Sequence, residues 1–249
     1  MSAQYVRAVG AETGASLLQS FRSPEFILPT LALPVAFYLL FGIVMAQGGP
    51  STAAYLVATY GIFAVMGPAI FGFGTSVATE RERGWLDLRR ASPAPASGFI
   101  LARLLTTIVF GAMALMPIYA AAGFLGGVAL PRAAWFLLTG THLLAVVPFS
   151  LLGLTIGFLF SSRAAVAVAN LAFLLLAVLG GLWLPARLFP EVMQMLALAL
   201  PSFHLAEVSL SVVDTAREHQ PALHLAVAAA MTVLFALAAG AAWKRQERA

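Results

Sequence analysis

FILPTLALPVAFYLLFGIVMAQGGPSTAAYLVATYGIFAVMGPAIFGFGTSVAT, residues 26–79, contains no Asp, Glu, Lys or Arg. A helix needs about 20 apolar residues to cross the hydrocarbon of a bilayer, so this stretch is too long for one crossing. The run Gln47-Gly48-Gly49-Pro50-Ser51 supplies a break, and two spans result, 26–46 and 54–79. A dense charged segment, 80–103, follows. Beyond it, uncharged runs place further spans at 104–126, 135–160, 164–184 and 221–243, six in all.

The composition agrees with that reading. Of the 249 residues 61% are apolar and 10% charged, whereas a soluble domain carries about 25% charge; the mean hydropathy is +0.93. An ordinary water-soluble globule is excluded, and the chain is expected to be one all-α integral membrane domain covering residues 1–249. The absence of cysteine removes disulfides, Cys-ligated metal and a thiol nucleophile. The net charge of +4 is read as orientation, because basic loops face the cytoplasm, and no nucleic-acid partner is expected. With both termini inside, the inner side holds Arg7, Arg22, Arg81, Arg83, Arg89, Arg90, Arg103, Arg163, Lys244, Arg245 and Arg248. The outer side holds only Arg132, Arg187 and Arg217, and an odd number of spans would destroy that segregation.

Two flanking regions have their own patterns. In residues 1–25, Tyr5, Val6, Val9, Leu17, Leu18 and Phe21 recur at helical spacing among Arg7, Glu12, Gln19 and Arg22. That pattern fits an amphipathic helix in the cytoplasmic interface, with a frayed terminus as the alternative because Gly10 and Gly14 weaken it. Between the last two spans, residues 185–220 are too apolar for a plain loop. Pro190 opens a helix there, Glu191 suits its first turn, and Pro201 ends it; the piece spans about 15 Å, half the hydrocarbon thickness. Apolar nearly all round, through Val192, Met193, Met195, Leu196 and Leu198, it is expected to be buried. A second short helix, about 203–213, completes an outer re-entrant hairpin.

The charged segment reads Glu80-Arg81-Glu82-Arg83-Gly84-Trp85-Leu86-Asp87-Leu88-Arg89-Arg90, then Ala91-Ser92-Pro93-Ala94-Pro95. Alternating acids and bases offer specific ion pairs to a partner, and Trp85, Leu86 and Leu88 supply an apolar anchor, a mixture suited to protein docking. A solvated loop held inside by its positive charge is the competing reading. The E-R-E-R-G run between the second and third of six spans resembles the cytoplasmic coupling segment of ABC type-2 exporter permeases. Gly181-Leu182-Trp183-Leu184-Pro185, Phe189-Pro190 and Leu200-Pro201-Ser202-Phe203-His204 are similar to the same family's outer segment before the last span.

The resemblance implies a bacterial plasma-membrane permease that is half of a transmembrane dimer, each copy bound to a separate ATP-binding-cassette ATPase. It implies that Glu80, Arg81, Glu82, Arg83, Gly84, Trp85, Asp87, Arg89 and Arg90 form the ATPase coupling helix, and that the first span of one copy packs on the fifth of the other. ATP and Mg would belong to the partner. In agreement, the chain has no G-x-x-x-x-G-K-[ST], and its single lysine, Lys244, lies in the tail; it is expected to be a non-catalytic subunit.

Other residues have packing as the first reading. Asn170, inside the fifth span, is expected to hydrogen-bond across helices, by resemblance at the dimer interface. Gly153-x-x-x-Gly157 allows close helix approach. Gly67, Gly72 and Gly74 suggest a hinge leading into Glu80. His142, His204, His219 and His224 have no metal-ligand spacing, and His142 is either a packing element or a functional polar group. Spans lined by Ala, Leu, Phe and Met suit a hydrophobic or amphiphilic cargo, such as a drug, a secondary metabolite or a lipid-like molecule. A secondary transporter would need ionisable groups deep in the spans. An intramembrane protease would need a placed serine and histidine, and Ser76 and Ser150 lack the flanking glycines.

Overall fold

A computed structural model describes residues 3–22, 24–45, 49–84, 96–214 and 219–248. They form nine α-helices with no strand among the described residues, as a bilayer demands of a chain that must satisfy its backbone internally. The helices are α1 (Ala3–Phe21), α2 (Pro24–Phe37), α3 (Gly49–Glu82), α4 (Ala96–Phe124), α5 (Arg132–Leu159), α6 (Ser162–Leu179), α7 (Glu191–Ala197), α8 (Pro201–Val213) and α9 (Pro221–Arg248). α3, α4, α5, α6 and α9 are each long and apolar enough to cross a membrane. The first expected span, 26–46, is α2 continued without a break by a π-helical stretch, Tyr38–Val44.

α3 is the central helix. Nearly every residue from Leu56 to Ile70 is buried, and α4, α5, α6 and α8 all pack around it. Small residues permit this. A Cβ at Gly153 would lie 2.6 Å from the Ile70 carbonyl oxygen, and one at Gly157 would lie 2.9 Å from that of Gly74. The Gly-x-x-x-Gly pair therefore seats α5 against α3 within one chain. Gly74, read from sequence as part of a hinge, sits at that crossing with its own Cβ position 3.3 Å from the Gly153 carbonyl. Higher in the bundle, Gly61 leaves the space that the His142 ring occupies. Beside it Phe37, Phe63 and Trp183 form an aromatic cluster with centroid separations of 5.4–6.2 Å.

Three expectations need correction. First, the proposed coupling helix does not begin at Glu80: α3 continues through Glu82, because nothing in Glu80-Arg81-Glu82 stops a helix. Gly84, at φ +71°, ends it in the left-handed conformation that glycine adopts at helix C-termini. Arg103, expected in the same inter-span segment, lies inside α4. Second, the fifth span stops at Leu179 rather than 184, where Gly181 turns the chain at φ +73° and sends Leu182 into the core. Third, the hairpin exists, with α7 and α8 bent by 88°, but its burial is the reverse of that expected. Val192, Met195 and Leu196 of α7 and Leu198 just after it are exposed, whereas Ser202, His204, Leu205, Glu207, Ser209 and Leu210 of α8 are buried. Seven residues give α7 too little length to enter the bundle; α8 reaches α3, α5 and α9.

Candidate functional site

The charged end of α3 fastens four helices together. Glu80 pairs with Arg103 of α4, and the Arg103 Nη1–H also donates to the Gly72 carbonyl at 3.0 Å. Arg81 turns the other way. Its guanidinium donates to the carbonyl oxygens of Phe158 and Phe160, the latter at 2.7 Å. The last carbonyls of a helix have no intrahelical donor, so Arg81 supplies what α5 lacks, and its positive charge suits that negative end. Gln246 of α9 donates to the same Phe158 carbonyl at 3.0 Å.

Glu82, the next residue, completes the arrangement. Its carboxylate accepts from the Ser162 backbone N–H at 2.9 Å and from the Ser162 hydroxyl at 2.5 Å. An acid at a helix N-terminus meets orphan N–H groups and the positive end of the dipole, here those of α6. Glu82 lies beyond the apolar 54–79 stretch, and the bonds from Ser162 hold its carboxyl below the usual range. Three consecutive side chains thus engage three different helices, because successive positions on a helix point about 100° apart.

This alters the meaning of the sequence motif. Glu80 through one carboxylate oxygen, Arg81 and Glu82 are engaged with partners within the chain. Arg83 is exposed at the end of α3 and Gly84 is its stop. Trp85, Asp87, Arg89 and Arg90 lie outside the described residues, as do Ser92, Pro93 and Pro95. Sequence reasoning misses the counterparts Arg103, Ser162 and Gln246. The available signal is Arg103 itself: a base inside an otherwise uncharged helix requires a nearby acid. Ser162 carries no comparable signal, because its role depends on where Glu82 ends up.

Asn170 departs from expectation. It is exposed on α6, and its amide donates to the Val166 carbonyl of its own helix at 2.8 Å, a bond within the helix rather than across helices. The histidines are built into packing. His142 is fully buried, with Nε2 2.9 Å from the Ala58 carbonyl and Nδ1 2.7 Å from the Tyr119 hydroxyl. A carbonyl only accepts, so Nε2–H donates and Nδ1 accepts a hydrogen bond from the tyrosine O–H. By the same logic His204 Nε2–H donates to the Leu198 carbonyl and His204 Nδ1 accepts from His224 at 2.9 Å. His219 lies 3.3 Å from the Glu207 carboxylate.

Above the Glu80–Arg103 pair is a cleft of about 350 Å³ between α1, α3 and α4. Its charged end is formed by Glu80, Arg83 and Arg103 and its far end by Pro68 and Phe110. At the hairpin end of the bundle a second cavity, about 300 Å³, lies between Tyr55, Arg187, Glu191 and Glu207.

Comparison with known proteins adds to this arrangement. The chain is 28% identical over 193 residues to a protein of Bacillus subtilis (strain 168) named "Putative transport permease YvfS", covering 76% of this chain and 79% of that one. Residues 7–213 match the family model of the ABC-2 type transporter, a range that takes in α1, the clasped end of α3 and the bent hairpin. A multi-pass helical bundle whose described charges concentrate at helix ends, matched over that length, belongs to the ABC-2 type transporter family as a transport permease.

Proposed function

We propose that the chain is the membrane subunit of an ATP-driven exporter that carries a hydrophobic or amphiphilic molecule outward. Family membership implies an ATP-binding-cassette partner; in this reading that partner holds ATP and Mg and docks at the segment between α3 and α4. The observation that supports it is the clasp. A segment hung from α3 beyond Gly84 is attached through Glu80, Arg81 and Glu82 to α4, α5 and α6, so a displacement at the docking site moves four helices together. Arg83, Trp85, Asp87, Arg89 and Arg90 are the residues left for the partner, on the cytoplasmic face of a bacterial plasma membrane with both termini inside.

The exposed side chains Leu171, Leu174 and Leu175 of α6, and Leu33, Leu40 and Phe41 on α2 and its extension, are the faces that a second, identical copy would cover. Asn170, also exposed on α6, would then lie near that contact. Ion-coupled transport is the weaker reading. The one ionisable side chain deep in the described spans, His142, is held between Tyr119 and Ala58, with no cavity bordering it among those described.

The test is co-purification of the permease from its native membrane with an ATP-binding-cassette ATPase. Trp85→Ala combined with Asp87→Lys is expected to lose the ATPase while keeping the thermal unfolding midpoint of the permease. Retention of a fully active ATPase complex by that variant would overturn the docking assignment.

A further inference from the structure

The cleft between α1, α3 and α4 is polar along most of its length, with Pro68 and Phe110 its larger apolar residues. It follows α3 from Arg83 to Pro68, about 22 Å at the helical rise. Glu80, Arg83 and Arg103 occupy one end, hydroxyl side chains line the length, and the other end closes on Phe110, whose ring packs 5.2 Å from that of Phe21.

The hydroxyls have a defined sense. Thr75 donates to the Phe71 carbonyl and Thr79 to the Thr75 carbonyl, each at 2.8 Å, and Thr107 donates to the Arg103 carbonyl at 2.9 Å. With their protons committed to their own helices, these three threonines offer the cleft lone pairs only. Glu80 adds a carboxylate to the same wall. Its Oε2 is buried without a partner among the described residues, and so is Arg103 Nε. Orphaned buried polar atoms are costly, and a ligand carrying both a donor and an acceptor would relieve the two together. Arg83, at the open end of the cleft, contributes a second guanidinium, and guanidinium groups match phosphate geometry.

Acceptors clustered at Glu80, Thr75 and Thr79 require N–H donors, and a quaternary ammonium has none. Guanidinium donors at Arg83 and Arg103 require an anion. We propose that this cleft binds the head of a primary-ammonium phosphate amphiphile. The ammonium lies inward, toward Glu80 and the threonine oxygens, the phosphate toward Arg83 and Arg103 Nε–H, and the chains, joined to the head through that phosphate, leave on its side of the cleft. The site shares Arg83 with the docking residues, has its other ligands outside that segment, and does not depend on the direction of transport.

The experiment uses the full chain in nanodiscs of phosphatidylcholine, with or without phosphatidylethanolamine. Lipid retained through delipidation is read by native mass spectrometry and stability by thermal unfolding. The expected result is about a tenfold preference for the ethanolamine lipid, the worth of one charge-assisted hydrogen bond, and a higher unfolding midpoint in its presence. Thr75→Val with Thr79→Val is expected to reduce the preference by removing two of the three ammonium acceptors. Arg83→Gln, at an exposed position that does not threaten folding, is expected to weaken retention of both lipids. Soluble phosphoethanolamine added to phosphatidylcholine nanodiscs separates the sources: a full shift in midpoint assigns a free head group, and no shift assigns a bilayer lipid. Equal retention of the two lipids by the unmodified protein, or an undiminished preference in the threonine double variant, would overturn the proposal.

Discussion

α3 and α9 are both long apolar helices, yet of the most apolar 18 residues in each, 89% are buried in α3 and 17% in α9. Hydropathy does not separate them. In lipid an apolar face gains little by exchanging acyl chains for protein, so helix association rests on close packing and polar contacts. α3 has both: the backbone of α5 at Gly153 and Gly157, the His142 ring in the notch at Gly61, and the charged clasp at its end. α9 has Leu234 and Leu237 on an open face and a Gly240 with nothing near its Cβ position.

The contrast can be broken at three points. Arg103→Met should have the largest effect, about 3–5 kcal/mol, since it strands a mostly buried carboxylate. The double variant Glu80→Met, Arg103→Met should recover most of that loss, because replacing both members of a buried pair is often close to neutral. Thermal unfolding of the purified protein measures both, and a double variant as damaged as the single would show that the clasp does more than neutralise charge.

The same substitution at two glycines sharpens the comparison. Gly153→Ala puts a methyl group against the Ile70 carbonyl and should destabilise by about 1–3 kcal/mol. Gly240→Ala meets open space and should be neutral or stabilising by up to about 1 kcal/mol, since alanine is the better helix former. Opposite signs in paired unfolding curves are the expected result; equal losses would mean that α9 is packed as tightly as α3.

The smallest effect belongs to Leu234→Ala, at a side chain 62% exposed, which should stay within about 0.5 kcal/mol in detergent. A loss comparable to a core leucine would show that α9 is covered in solution, and the contrast with α3 would then belong to the isolated chain only.

Several elements are legible in the amino-acid sequence. The long apolar segments, the Pro190 and Pro201 boundaries of the hairpin and the helical N-terminus follow from local chemistry, and each corresponds to a helix, although the helix of the 104–126 segment begins eight residues earlier, at Ala96. The charged motif stands out as well, but its roles do not. The run Glu80-Arg81-Glu82 looks like a surface offered to a partner, whereas its actual counterparts, Arg103, Phe158, Phe160 and Ser162, lie 23 to 80 residues away. Burial of the hairpin runs against its composition for a related reason: α7 is the more uniformly apolar piece, but α8 has the length and the polar groups that find partners inside the bundle.

Composition alone determined that this chain lives in a bilayer and crosses it as helices, because hydrocarbon tolerates neither charge nor unpaired backbone and each crossing must satisfy that locally. Which helix stands at the centre, and where the ionic residues spend their hydrogen bonds, was decided only by tertiary structure. Those outcomes depend on the fit between surfaces far apart in the chain, glycine against carbonyl and guanidinium against helix end, and no local window contains both halves of such a contact.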